Sequence, residues 1–261
     1  MQTSASTQFT RLEREGPIAI VTMARPEKRN ALSLDMMEEL NAVFGRLGGS
    51  SDVAVAILRG EGAAFSAGHD LRELGCSDAA SAERIFDVCV ELMTTIQTIR
   101  QPVIAEVATV ATAAGCQLVA TCDLAVASTE ATFATPGVRI GLFCSTPMVA
   151  LTRAVGRKRA MEMLLTGDFI DARTAAEWGL VNHVVPPEQL HEAALNLAVR
   201  IARASRTIVA LGKAAFYRQI DLDQAQAYAA MKRVMTDNTL EPDAQEGIAA
   251  FLERRPARWH E

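Results

Sequence analysis

The sequence predicts an α/β fold in which a mostly parallel sheet is covered on both faces and a helical C-terminal region follows. Three observations carry this expectation. Residues 53–58, 103–107 and 124–127 are short runs that are apolar almost throughout, as strands buried on both faces are. Helical periodicities lie between these runs, which requires crossover connections and parallel pairing. From Pro147 onward the character changes to helices, interrupted only by a short strand over 180–185.

Each element has a local cause. Residues 9–13 and 17–22 read as two strands turned at Glu15-Gly16. Leu34, Met37, Leu40, Val43, Phe44 and Leu47 recur at helical spacing, and Gly48-Gly49 closes that helix. A Gly/Ala-rich loop over 60–70 follows the strand 53–58. The next helix, 82–99, stops before Gln101-Pro102, because the residue preceding a proline is pushed out of the α region. A second small-residue loop, 111–118, follows the strand 103–107 and leads toward the strand 124–127. Helical periodicity then marks 190–204, 207–219, 223–235 and 242–254. No repeat or Pro/Ser linker divides the chain. Residues 1–200 are expected to form one α/β core, and residues 201–261 a helical region packed on it or on a neighbouring subunit.

A chain of 261 residues buries roughly 70–75% of its unfolded surface, so neither disulfides nor a structural metal is needed. Hydrophobic residues at 49% and charged residues at 22% argue against extensive disorder. A net charge of −5 with no long Lys/Arg run disfavours a nucleic-acid partner. The five cysteines, Cys76, Cys89, Cys116, Cys122 and Cys144, contain no C-x-x-C pair and read as reduced thiols. Residues 1–10 carry neither the basic nor the apolar region of a secretory signal. The apolar stretch 103–127 is interrupted by Glu106, Gln117 and Asp123, so it is expected in the core and not in a membrane. These features together predict a cytoplasmic location. Gly60-Glu61-Gly62 follows a strand, but Phe65 stands where a dinucleotide fingerprint needs its third glycine. P-loop and serine-hydrolase motifs are absent.

Two loops could carry chemistry. In Ala64-Phe65-Ser66-Ala67-Gly68-His69-Asp70-Leu71, small residues admit a ligand to the backbone, and the N–H groups are free if Asp70 begins a helical turn. Ala111-Thr112-Ala113-Ala114-Gly115-Cys116-Gln117-Leu118 runs small residues into a helix, leaving its first amides unpaired at the positive end of the macrodipole. Two N–H donors from separate loops aimed at one point would hold a thioester oxygen as it becomes an enolate. By themselves the residues read equally as tight turns of an Ala-rich chain.

With Arg25-Pro26-Glu27-Lys28-Arg29-Asn30-Ala31-Leu32, Cys122-Asp123-Leu124-Ala125, Leu164-Leu165-Thr166-Gly167 and Ala175-Ala176-Glu177-Trp178-Gly179-Leu180-Val181, the first loop resembles the enoyl-CoA hydratase/isomerase (crotonase) superfamily in order and spacing. The likeness runs from about Phe9 to Trp259. Residues 113–120 and 141–147 are similar to the enoyl-CoA hydratase domain-containing protein 3 subgroup. The resemblance implies a crotonase (ClpP/crotonase-like) spiral of ββα units with a helical trimerisation region, assembled as a homotrimer or a dimer of trimers. It implies an acyl-CoA thioester as ligand and nominal enoyl-CoA hydratase (lyase) activity in fatty acid metabolism. No separate cofactor is implied, since CoA belongs to the substrate. The oxyanion hole falls on the backbone N–H groups of His69 and Ala114, the second being a position where the family usually has glycine.

The two glutamates that activate water and deliver a proton in family hydratases fall on Gln117 and Gly137. An amide and a hydrogen atom exchange no proton near neutral pH, so the usual syn-hydration route is not expected. His69, Cys144, Ser145, Glu73 and Glu106 remain as candidates for other proton or nucleophile chemistry. Their plainer readings are a loop histidine acting through its backbone, a buried inert thiol at Cys144 and a satisfied structural carboxylate at Glu106, with Asp70 capping the next turn. His183, His191 and His260 show no metal-ligand pattern. Arg25, Lys28 and Arg29 form a compact basic cluster, either a solvated turn or, by the resemblance, contacts to the CoA phosphates. The resemblance adds Ala31, Ala67, Asp70 and Leu71 as the walls of the CoA channel, and Arg254 from the C-terminal helices. Isomerase or hydrolase chemistry is one alternative; a non-catalytic acyl-CoA-binding or regulatory protein is another.

Overall fold

The structure is a computed structural model that describes residues 5–75 and 78–260; Cys76 and the start of the expected signal-free segment lie outside the described residues. β1 (Ala5–Ser6), β2 (Thr10–Glu15) and β3 (Ile18–Met23) form an antiparallel meander turned at Gly16. α1 (Leu34–Gly48) is capped by the Ser33 hydroxyl, which accepts from Met36 N at 3.3 Å, and buries the stripe from Met36 to Leu47. β4 (Val55–Gly60) begins the parallel part, and β5 (Ala64–Ser66) lies inside the stretch expected as loop. The short α2 (Leu71–Gly75) and the long α3 (Ala79–Thr98) lead to β6 (Val103–Val107).

β7 (Val110–Thr112), α4 (Ala114–Thr121), β8 (Leu124–Ser128) and β9 (Thr132–Ala134) continue the same rhythm. Next come α5 (Pro147–Val155), α6 (Arg157–Thr166), β10 (Ile170–Asp171), α7 (Ala172–Trp178) and β11 (His183–Val185). The chain closes with α8 (Leu190–Ala202), α9 (Arg206–Gln219), α10 (Gln224–Asn238) and α11 (Pro242–Glu253).

The strands form two sheets. The larger runs β1-β2-β3-β4-β6-β8-β11 and is parallel from β3 onward. The smaller runs β10-β9-β7-β5, and all three of its pairings are made by strands of three residues or fewer. Three successive strand pairs, β4/β5, β6/β7 and β8/β9, each give the first strand to the larger sheet and the second to the smaller one. That alternation is the ββα spiral. The smaller sheet corrects the expected loops over 60–70 and 111–118: its strands are too short to display a period of two, so no pattern announced them.

Side-chain alternation sorts the larger sheet into two faces. Val21, Leu58, Ala105 and Ala127 pack with the α1, α3 and α4 stripes, while Ile57, Ile104 and Val126 meet Leu190, Ala194 and Ala198 of α8. Glu106, two residues after Ile104, therefore faces α8. Its carboxylate meets His191 Nδ1 at 2.9 Å, which makes it the satisfied structural group and removes it from the two candidate loops.

Candidate active site

The site is assembled where β5 and β7 hand over to helix. After β5 the chain passes through Gly68, at φ +87°, into an isolated parallel bridge between His69 and Leu32. Leu32 N donates to Gly68 O at 2.8 Å and Asp70 N donates to Leu32 O at 3.4 Å. In a parallel bridge those two bonds flank the paired residue, so the N–H of His69 points the other way; it makes no hydrogen bond among the described residues.

After β7, Ala113 takes φ +50° and ψ −120°, held there by its N–H donating to Ala134 O at 2.9 Å. This sharp reversal lets α4 begin at Ala114. The Ala114 N–H belongs to the first helical turn and has no acceptor among the described residues. Ala114 is absent from the positive-φ residues, so alanine carries this donor without strain. Glycines bring the two donors together. A β-carbon on Gly68 would stand 2.8 Å from Ala113 Cβ and 3.0 Å from Ala114 N, and one on Gly115 would stand 2.3 Å from Ser66 O. Only glycine permits either approach.

Both donor residues line a cavity of 690 Å³. His69, Ala114, Gly137, Ala67 and Leu71 line it together, and Leu74, Phe86, Ile140, Leu142 and Phe143 make the wall apolar. No carboxylate lines it among the described residues. Gln117 does not line it: the side chain is 4% exposed, and its Oε1 has no partner among the described residues. Gly137, the position the resemblance assigns to the second carboxylate, is closed as well. A β-carbon on Gly137 would meet Cys144 Sγ at 2.8 Å and Leu142 O at 2.9 Å, so the 142–144 loop stands where a longer side chain would begin.

The remaining polar groups sort by environment. Burial pushes the His69 pKa down to about 4, so the ring is neutral at pH 7; it packs edge-on against Phe86 at 5.5 Å. Burial raises the Cys144 thiol, and the backbone N–H of Gly137 opposes that only in part, which fits an inert thiol. Cys89 and Cys116 are buried and pushed up to about 12. Ser145 Oγ donates to Phe143 O at 3.3 Å. Asp70 accepts from Arg72 N at 3.0 Å as a turn cap, and Glu73 accepts from Leu34 N at 2.9 Å.

The basic turn is divided. Arg25 is engaged inside the chain, stacked 4.7 Å from the Phe9 ring centroid and donating to Ser33 Oγ at 3.2 Å. Lys28 and Arg29 make no ion pair among the described residues, and Arg29 O accepts from Ala67 N at 3.0 Å, which fixes the turn to the cavity rim next to buried Ala31. Asn30 holds this turn: its Nδ2 donates to Glu61 O and Ala64 O at 2.9 and 2.8 Å, and its Oδ1 accepts from Arg25 N at 2.9 Å. Sequence reasoning missed Asn30, although asparagine in a polar turn tolerates the left-handed conformation it adopts, φ +49°. Arg254 is exposed at the end of α11 and does not line the cavity. Among the described residues no group of three or more His, Cys, Asp or Glu could hold a metal ion, and no helix is long and apolar enough to cross a membrane.

The sequence matches the enoyl-CoA hydratase/isomerase family over residues 13–261. The chain belongs to this crotonase superfamily. Enoyl-CoA hydratase domain-containing protein 3 of Rattus norvegicus, named as mitochondrial, is 47% identical across 97% of this chain and 84% of its own length. The human protein of that name is 48% identical across 92% of this chain and 79% of its own. A crystal structure of human enoyl Coenzyme A hydratase domain-containing protein 3 superposes with a TM-score of 0.94 at 46% identity, covering 97% of this chain and all of the other. An enoyl-CoA hydratase structure from Mycobacterium smegmatis gives 0.95 at 45%, covering 98% and 100%. The crotonase fold and the domain-containing protein 3 subgroup are thus both borne out. The expected cytoplasmic location is corrected: these vertebrate relatives, and the mouse one, carry a mitochondrial designation. Thiol content and charge report redox state, which does not separate those two compartments.

Proposed function

We propose that this crotonase-superfamily protein binds an acyl-CoA thioester and polarises its carbonyl between the N–H groups of His69 and Ala114, with enoyl-CoA hydration as its nominal lyase reaction. The observation that carries this reading is the pair of unengaged N–H groups, from two separate loops, on residues that line one apolar cavity of 690 Å³. Lys28 and Arg29 at the rim supply cations for the CoA phosphates, and CoA enters as part of the substrate, without a separate cofactor. The relatives' names support the same class of ligand.

A second reading, a non-catalytic acyl-CoA-binding protein, is favoured by one feature: Cys144 and Leu142 close the position of one glutamate, and the other is an amide. One substitution tests the shared part. Ala114→Pro removes the N–H at the first position of α4, where proline is otherwise tolerated. Binding of a chromophoric aminocinnamoyl-CoA is expected to red-shift its absorption in the unsubstituted protein and to lose that shift in the variant. Turnover of an enoyl-CoA is expected to fall about 10²–10³-fold. An unchanged spectrum and rate would overturn the assignment of the hole.

A further inference from the structure

A buried polar side-chain atom with no hydrogen-bond partner among the described residues belongs to one residue of the hole itself, Nε2 of His69. Buried polar atoms are nearly always paired, and leaving one unpaired is costly. An orphan on a residue that lines the cavity fits a group that arrives from outside.

We propose that the imidazole of His69 carries the proton in the hydration reaction. The assignment presupposes an acyl-CoA carbonyl seated between the two N–H groups. The residue that holds the carbonyl oxygen through its backbone then presents its ring beside the same thioester, in the wall of the cavity. The other titratable or charged groups nearby are committed or unsuited. Asp70 and Glu73 accept from the N–H groups of Arg72 and Leu34, Arg139 is paired with Asp168, and the Cys144 thiol is raised by burial.

The step balances with one water. Its oxygen bonds to the β-carbon of the enoyl thioester while one of its protons passes to His69 Nε2. The π electrons of the C=C bond move toward the carbonyl, and the enolate oxygen is held by the two N–H groups. The imidazolium then returns that proton to the α-carbon, restoring neutral imidazole and the thioester. Burial keeps the ring neutral at pH 7, so the ring is free to accept first.

The test compares the unsubstituted protein with His69→Gln, which keeps the backbone donor, and with His69→Ala supplied with free imidazole. Three readouts are taken: hydration of an enoyl-CoA, deuterium exchange at the α-carbon of a saturated acyl-CoA in D₂O by NMR, and the red shift of bound aminocinnamoyl-CoA. Hydration and exchange are expected to fall about 10²–10⁴-fold in His69→Gln and to recover in part with imidazole in His69→Ala. The red shift should persist in both. Unchanged exchange in His69→Gln, or a red shift in the unsubstituted protein without any exchange or hydration, would overturn the proton assignment while leaving the hole intact. No red shift in any form would sink the acyl-CoA reading and this assignment with it.

Discussion

At the scale of the residue, the hole depends on backbone conformations that a sequence states only indirectly. Ala113 holds φ +50° and ψ −120°, a region that costs a non-glycine residue about 1–3 kcal/mol. Replacing it with glycine relieves that strain but adds about 0.4–1 kcal/mol of unfolded-state entropy. Ala113→Gly is therefore expected to stabilise the fold by about 1 kcal/mol, read as a Tm rise of about 2–4 °C in a thermal melt. His69 gives a second prediction. Burial lowers its folded pKa from 6.5 to about 4, so the folded state prefers the neutral ring. Its contribution is complete above pH 6.5, is lost as pH falls toward 4 where the unfolded ring protonates first, and amounts to on the order of 3 kcal/mol. Denaturant melts from pH 7 to pH 4 should show His69→Gln losing less stability over that window than the unsubstituted protein. The motif singled out His69 through its backbone; the fate of its ring follows from Phe86, a neighbour seventeen residues away that no local pattern selects.

At the scale of the element, α9 is fastened to the core by charge. Lys213 Nζ donates to Ile96 O, Gln101 O and Asp123 Oδ2 at 2.7, 2.8 and 2.7 Å, and the Tyr217 hydroxyl donates to Asp123 Oδ1 at 2.9 Å. Burial lowers the Lys213 pKa against the pull of Asp123, so the pair survives only as a unit. Lys213→Ala leaves a largely buried carboxylate unpaired and is expected to cost about 3–5 kcal/mol, measured by urea unfolding. A cost below about 1 kcal/mol would show that α9 is held by packing alone. The helices themselves were legible: α1, α3 and α8 through α11 begin and end within three residues of where periodicity, caps and proline place them. The strands of the smaller sheet were not, because two or three residues cannot display alternation and their pairing partners lie tens of residues away. Asp123 and Lys213 were invisible as a pair for the same reason.

At the scale of the whole molecule, large apolar side chains stand exposed on α11 and on the turn that precedes it. Leu240, Phe251 and Leu252 are 76%, 83% and 74% accessible in the single chain, a pattern that marks an interaction surface. These are the side chains that the homotrimer or dimer of trimers implied by the resemblance would cover. Sedimentation should find an oligomer, and Phe251→Glu with Leu252→Glu should shift it toward monomer; a monomer in the unsubstituted protein would remove the oligomer from consideration. By itself the sequence determined the α/β class, the helical end and the two small-residue loops, because hydrophobic periodicity and the steric demands of glycine and proline act over a few neighbouring positions. Its motifs also marked Gln117 and Gly137 as the positions where the resemblance places two carboxylates. The tertiary structure alone decided that the two loops converge on one cavity, that Glu106 turns away from it toward His191, and that Cys144 fills the space beside Gly137. Those outcomes depend on which distant segments the paired sheets bring into contact, and hydrogen bonding and packing between such segments leave no trace in local spacing.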